Sequence, residues 1–303
     1  MIKSLLHRRG HSEYSDGPDF LCVGAHKGGT QWLFDQLDWH PDFWMPPMKE
    51  LHYFDGGKRA WQKAKQMYLA ASEDLDAANA ARSKQLRRPL NKDDLKFLED
   101  FLRLTPAQID FEAYAELFSA SKSLLSGDIT PGYSTLHSGT VEQIMNRFPA
   151  LKIVFIARDP VERLWSALSM RARLGRGPSP DNQAIIASEL EKRHNYRRTF
   201  QTKIVARWRR YAPGSQVGLF FFDDLTANSA EFRRRVLTFL GGDPDDASGV
   251  IPAGYNRKER QSRKTPLPDD LRAVIAQILA EELKVSAREF GGPAESWPAK
   301  YGL

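Results

Sequence analysis

Cysteine is almost missing from this chain: Cys22 is the only one in 303 residues. No disulfide can form within the chain, and a thiol set in the apolar run Phe20-Leu21-Cys22-Val23 reads as a small buried side chain rather than a nucleophile. Long apolar runs are missing too. Nothing approaches the ~18 apolar residues of a membrane span. The opening MIKSLLHRRGHSEYSDG is basic but has no apolar stretch of signal-peptide length, so the expected location is the cytoplasm. The net charge of +6 is modest and diffuse, which argues against nucleic acid as a partner and suits a small anionic ligand.

What is present is a strand, a glycine turn and a helix. The apolar run stops at Gly24, and helical spacing (Trp32, Leu33, Leu37) begins after Thr30. The first amides of such a helix have no intrahelical partner, Gly28 and Gly29 admit a ligand close to the backbone, and Lys27 adds a full charge. A phosphate suits that turn. A triphosphate-binding P-loop, however, sets its lysine at the helix start with Ser or Thr directly after it for magnesium. Here Lys27 precedes the glycines, so Thr30 can bond a phosphate oxygen but no Lys-Ser/Thr pair carries Mg²⁺. A metal-free phosphate grip is expected, and a P-loop kinase is disfavoured. A tight connection without a ligand accounts for Gly28-Gly29 about as well, so a second site is needed.

Further along, Met45-Pro46-Pro47 forces an extended segment into Leu51-His52-Tyr53-Phe54, read as a short strand or strand-like end. Residues 56–119 turn Lys-, Ala-, Asp- and Glu-rich with helical spacing broken by Arg87-Arg88-Pro89, which reads as a helical insertion with mostly solvated charges. Strands are expected over 123–129, 151–157 and 217–222, and helices over 140–148, 160–170, 182–211, 229–240 and 268–283. Regular alternation of this kind implies an α/β fold: a central parallel sheet with helices on both faces, like the P-loop nucleotide-binding proteins. One domain, 19–303, follows an N-terminal tail, 1–18. Ligands of such sheets sit at the carboxyl ends of the strands, where Lys27, Asp128 and Arg158 fall. Arg158 ends the most buried strand, and Ser166, two helical turns on, shares its side; together they can hold a second anion. Pairing of Arg158 with Asp159 or Glu162 is the plainer alternative.

Gly24, Lys27, Gly28, Gly29, Thr30 and Trp32, then Pro41, then Lys49-Glu50-Leu51-His52-Tyr53-Phe54, and later Arg158-Asp159-Pro160 with Arg163 and Ser166, stand in an order that resembles the PAPS-dependent sulfotransferases. PAPS is 3′-phosphoadenosine 5′-phosphosulfate. Within that family the chain is most similar to the carbohydrate branch typified by heparan sulfate 3-O- and N-sulfotransferases, whose eukaryotic members are usually Golgi membrane proteins; a soluble, bacterial relative is implied.

The resemblance implies PAPS as donor, PAP as product and no metal. Lys27 would stabilise the leaving phosphate, with Gly28, Gly29, Thr30 and Gln31 around it. Arg158 and Ser166 would take the 3′-phosphate. Arg163 either supports that region or makes a surface salt bridge. Trp32 matches an adenine-stacking position of some cytosolic sulfotransferases, although a core tryptophan fits its helix as well. Glu50 would be the general base with His52 assisting; in other branches a histidine is the base, which keeps His52 open. Arg257 and Lys258 stand where the family closes a loop over the nucleotide, without the glycine pattern of the cytosolic branch, and a solvated loop is the alternative. Asp128 stands where many heparan sulfate enzymes carry lysine, and an acidic group there can orient an acceptor hydroxyl or amine. The acceptor is a saccharide or small molecule that no residue specifies, and the oligomeric state is equally open. A non-catalytic nucleotide or polyanion binder would keep Lys27 and Arg158 without needing Glu50.

Overall fold

The computed structural model describes residues 17–84, 87–104, 108–245 and 266–303. Five strands form one parallel sheet in the order β2-β3-β1-β4-β5: β1 (Phe20–Gly24), β2 (Phe43–Trp44), β3 (Leu125–Ile129), β4 (Lys152–Ala157) and β5 (Val217–Phe221). The chain fills one side of β1 with β3 and β2, then crosses to the other for β4 and β5. The strand order therefore reverses at the carboxyl end of β1, where open α/β sheets bind ligands. In register, Leu21 lies opposite both Asp128 of β3 and Ile153 of β4.

Strands buried on both faces carry apolar side chains at every position rather than at alternate ones. Phe20 and Cys22 pack with Leu33, Phe34 and Phe232 on one face; Leu21 and Val23 pack with Phe148 and Trp165 on the other. Cys22 is buried, and burial pushes its thiol up to about 12, so it is an inert core side chain.

Helix α1 (Thr30–Asp38) follows β1. Four helices, α2 (Lys58–Glu73), α3 (Leu75–Ser83), α4 (Lys92–Arg103) and α5 (Phe111–Glu116), separate β2 from β3. Between β3 and β4 lies α6 (Ser138–Arg147), and after β4 come α7 (Pro160–Arg173), α8 (Gln183–Glu191), α9 (Arg193–Thr199) and α10 (Gln201–Arg209). After β5 come α11 (Phe222–Ala227), α12 (Ser229–Leu240), α13 (Asp269–Ile278) and α14 (Ala280–Phe290). The start and stop signals act as their chemistry demands: Asp159 caps the start of α7 by accepting from the Val161 amide at 3.0 Å, and Gly241, at φ +99°, ends α12. Among the described residues no helix is long and apolar enough to cross a membrane.

Two expectations need correction. Residues 51–54 form a turn, not a strand; the edge strand is Phe43–Trp44. The helices expected over 182–211 and 268–283 are broken, the second continuing as α14 to Phe290. Arg88, in the proline-broken stretch, stands apart from the mostly solvated charges expected there. It donates to Asp94 at 2.6 and 2.7 Å, to Asp38 at 3.1 Å and to the Met45 carbonyl at 2.8 Å, which ties α4 to α1 and the segment after β2.

Candidate active site

The turn after β1 is fixed by sterics. Gly28 donates to the Ala25 carbonyl at 2.8 Å, and a Cβ on it would meet the Ile156 carbonyl at 2.5 Å, so only glycine lets this loop lie against β4. Gly29, at φ +92°, is the N-cap of α1 and offers no side chain to the first-turn amides, which are left for an external acceptor. Thr30 is buried at the helix start, and Gln31, half-buried, spends its amide on Asp35 at 2.8 Å. Trp32 is half-buried edge-on against Phe232, with ring centroids 5.7 Å apart. The Lys27 ammonium touches the Met170 sulfur of α7 at 3.2 Å; burial first, then Arg158, Arg173 and Lys49, hold it below the usual lysine range.

Arg158 leaves the end of β4 and donates through Nη1 to the Lys27 carbonyl at 2.9 Å. Its guanidinium lies over the Phe222 ring at 4.5 Å, and Glu162 stands 3.9 Å from Nη2, a loose pairing. Gln201, which opens α10, clamps the Arg158 backbone through a 3.0 Å bond from its amide and a 2.6 Å bond to its carbonyl. Ser166 is half-buried one face along α7. Arg163 makes no surface salt bridge: it is 1% exposed and donates to Thr199 Oγ1 at 2.7 Å, and among the described residues no carboxylate reaches it. Burial, with Arg198 and Arg158 nearby, pushes it down to about 9. His26 is held neutral, down to about 3, by burial and by Arg198 and Arg163. The rim thus gathers Lys27, Arg158, Arg163 and Arg198, whose like charges act on one another, with Glu162 only loosely paired to Arg158, an environment that favours a polyanion.

The third part is the turn 49–55. Lys49 donates to Glu50 Oε1 at 2.7 Å, and His52 Nε2 lies 3.5 Å from Glu50 Oε2. On the other side His52 Nδ1 faces both oxygens of Asp55, at 2.8 and 2.9 Å. Burial opposes the His52 cation, but bonds to Asp55 and Glu50 outweigh it and push the imidazole up to about 9. Burial likewise opposes the Glu50 charge, yet His52 and Lys49 hold its carboxyl well below the usual range. Both imidazole nitrogens face carboxylates, so His52 is an imidazolium at neutral pH and Glu50 is its ionised, 43% exposed neighbour. The two meet although the segment is not extended: Glu50 (φ +66°) and His52 (φ +53°) are both left-handed.

Sequence reasoning missed Asp55, whose signal was an acidic residue three positions beyond His52, and Gln201 and Phe222, which carry no local signal. Arg198 of α9 was missed as well; its charge acts on Asp55 and Glu50 without an ion pair to either. Asp128, expected at the acceptor, is 1% exposed and turned inward, accepting from Thr130 Oγ1 at 2.6 Å, Tyr133 OH at 2.6 Å and Tyr114 OH at 3.2 Å. Arg257 and Lys258 lie outside the described residues. Among the described residues no group of His, Cys, Asp and Glu side chains is arranged to hold a metal ion.

The fold and rim can be set beside known proteins. A sulfotransferase from Alicyclobacillus acidocaldarius shares the fold, with a TM-score of 0.61 at 22% identity over 92% of this chain and 98% of its own. Two more distant structures align as well: the sulfotransferase domain of the Synechococcus PCC 7002 olefin synthase (TM-score 0.46, 15% identity, 89% of this chain and 97% of that one) and sulfotransferase STF9 from Mycobacterium avium (0.47, 14%, 89% and 77%). No curated protein matches the sequence. The model of the sulfotransferase family matches residues 18–246, a span that holds the β1 turn, the 49–55 turn and Arg158 together. On that match this chain belongs to the sulfotransferase family.

Proposed function

We propose that the sulfuryl donor is PAPS and that the acceptor is a hydroxyl or amine of a saccharide or small molecule. The observation that carries this reading is the meeting of two cation-lined turns, at Lys27 and Arg158, on one rim of the sheet, with an accessible carboxylate, Glu50, beside Lys49 and His52. The amides of Gly28, Gly29 and Thr30, with Lys27 and Gln31, would hold the 5′-phosphosulfate. Arg158 and Ser166 would hold the 3′-phosphate, and Trp32 would offer its ring to the base. Arg257 and Lys258 stay part of this reading as proposed nucleotide-binding residues. The KELHYF run supports a place in the carbohydrate branch, with the helices between β2 and β3 as an insertion in a single domain from 19 to 303.

In the reaction the acceptor oxygen or nitrogen bonds to sulfur as the bond from sulfur to the 5′-phosphate oxygen breaks, and the acceptor proton passes to Glu50. Lys27 and the loop amides receive the charge left on the phosphate. The carboxylates on both sides of His52 favour its imidazolium form, which supports Glu50 as the base and gives His52, braced by Asp55, the task of orienting it. Glu50 is a weak base while Lys49 and His52 hold it; an acceptor that draws the Lys49 ammonium onto its own oxygens would raise its basicity.

Titration calorimetry with PAP, followed by incubation of labelled PAPS with a panel of saccharide and small-molecule acceptors, tests the reading. PAP binding that is unchanged by EDTA, with label transferred to an acceptor, is expected. ATP binding that needs Mg²⁺, with no affinity for PAP, would refute it.

A further inference from the structure

Asp128 sits in β3, beneath the turn that carries Glu50 and His52, and every contact it makes comes from a donor. Thr130 Oγ1 and Tyr133 OH each donate at 2.6 Å, Tyr114 OH donates at 3.2 Å, and the Leu51 amide completes the set. A carboxylate is acceptor-only, so this shell suits its ionised form and works against burial, which still holds its carboxyl above the usual aspartate range. Two of these hydroxyls accept in turn from the next amides of the same turn: Thr130 Oγ1 from His52 N at 3.5 Å, and Tyr133 OH from Tyr53 N at 3.0 Å. The successive amides of Leu51, His52 and Tyr53 therefore converge on one buried carboxylate, the first directly and the others through a hydroxyl.

That convergence explains a conformation the local sequence would not choose. Glu50 and His52 are both left-handed at φ +66° and +53°, a region that non-glycine residues occupy only when their surroundings enforce it. Gly132, between Thr130 and Tyr133, completes the support. A Cβ there would meet Asp55 Oδ2 at 2.4 Å and His52 Cε1 at 2.8 Å, so its absence lets the 3-10 helix Pro131–Thr135 lie directly against the His52–Asp55 pair.

We infer that Asp128 is a positioning residue: through Leu51 N and the hydroxyls of Thr130 and Tyr133 it fixes the turn that aims Glu50 at the acceptor and seats His52 between Glu50 and Asp55. This rests on the reading of Glu50 as the base. Asp128 is 1% exposed, so its action on the site runs through these amides and hydroxyls. A buried aspartate with no such role would stabilise the fold as a whole and would not act selectively on the His52 environment.

The test uses Thr130, because Thr130→Val is isosteric and changes no charge, while Thr130→Ser keeps the hydroxyl. The His52 ring is titrated by NMR in the full-length protein, alongside PAP affinity and kcat. In Thr130→Val the His52 pKa should fall from about 9 toward its ordinary value as the ring leaves its carboxylates. kcat should drop by about 10- to 100-fold, the range seen when a group supporting a site residue is lost. PAP affinity should stay within about twofold, and Thr130→Ser should restore the wild-type titration. Asp128→Asn should lower kcat in the same way; should it fail to fold, the Thr130 pair still decides. An unmoved His52 pKa in Thr130→Val, or parallel losses of kcat and PAP affinity, would overturn the inference. Wild-type protein without PAPS-dependent transfer would instead refute the proposed function, while the His52 titration would still report on Asp128.

Discussion

The guanidinium of Arg158 donates to the backbone carbonyl of Lys27 at 2.9 Å, across 131 positions of sequence, so the turn after β1 and the end of β4 form one structure. Arg158 uses Nη1 on that bond, and its Nη2 keeps only a loose 3.9 Å pairing with Glu162, so in the proposed reading the residue that shapes the first turn also presents charge to a ligand of the second. Arg158→Lys keeps the charge but loses both the fork and the bond to Lys27. PAP affinity should fall by roughly 10- to 100-fold, the value of one or two charge-assisted hydrogen bonds. Calorimetry with and without EDTA reads it, and an affinity within twofold of wild type would remove Arg158 from the nucleotide site.

Glu50 is tested by the opposite pattern. Glu50→Gln is nearly isosteric and keeps an oxygen for Lys49, but it cannot take a proton. Turnover should fall by about 10²- to 10⁴-fold, the usual contribution of a positioned base. PAP affinity should hardly change, because the bonds of Glu50 run to Lys49 and His52 rather than to the β1 turn. Full turnover in this variant would move the base to another group. A comparable loss of PAP affinity would make Glu50 part of the nucleotide site.

The parts of the site that were legible in the sequence are those specified locally. Gly24 to Thr30 is punctuated by residues whose backbone freedom and charge point to an anion, and Arg158 directly follows the most apolar run of the chain. The 49–55 turn misled for a physical reason. Leu51-His52-Tyr53-Phe54 has strand composition, but its conformation is set by Asp128, Thr130 and Tyr133 from nearly 80 positions away. Asp128 showed no sign of burial because a carboxylate at a strand end is as plausible in solvent as beneath a turn. The stretch from Lys192 to Arg210 carries eight Lys and Arg and no acidic residue, and only the folded chain brings its Arg198 to Glu50 and Asp55.

His52 also makes a prediction about stability. Its folded pKa, about 9, lies above the ordinary 6.5, so its pairing with Asp55 and Glu50 stabilises the fold fully below pH 6.5 and is lost as pH rises through 9. Glu50 has the reverse sign: its lowered pKa contributes fully above the ordinary 4.5 and is lost only as pH falls well below it. With respect to this pair, stability should be level between pH 4.5 and 6.5 and should decline on the alkaline side. Thermal melts across that range measure it, and His52→Asn should flatten the alkaline decline. An unaltered decline in that variant would assign it to another group.

Arg88 supplies the prediction for the fold itself. Its fork is spent on Asp94, whose side chain is fully buried, and its Nε on Asp38, whose side chain is 1% exposed. Asp94 also closes the capping box of α4 by accepting from the Asn91 amide at 2.9 Å, so it cannot turn away to find water. Arg88→Met keeps most of the aliphatic stem but strands Asp94 in the interior and leaves Asp38 to the looser 3.9 Å pairing with Arg87. The cost of breaking a buried pair from one side is about 3–5 kcal/mol. Salt should not soften the loss, because the pair is shielded from the ions that screen surface charges. Replacing Asp94 as well, in Arg88→Met/Asp94→Leu, removes the stranded charge and should recover part of the stability, less the capping contribution. Denaturant unfolding of the wild-type, single and double variants measures all three. A loss below 1 kcal/mol in Arg88→Met would show that the helices between β2 and β3 hold to the sheet through their apolar contacts alone, with Phe97 and Trp44, packed edge to face at 5.5 Å, as the leading candidates.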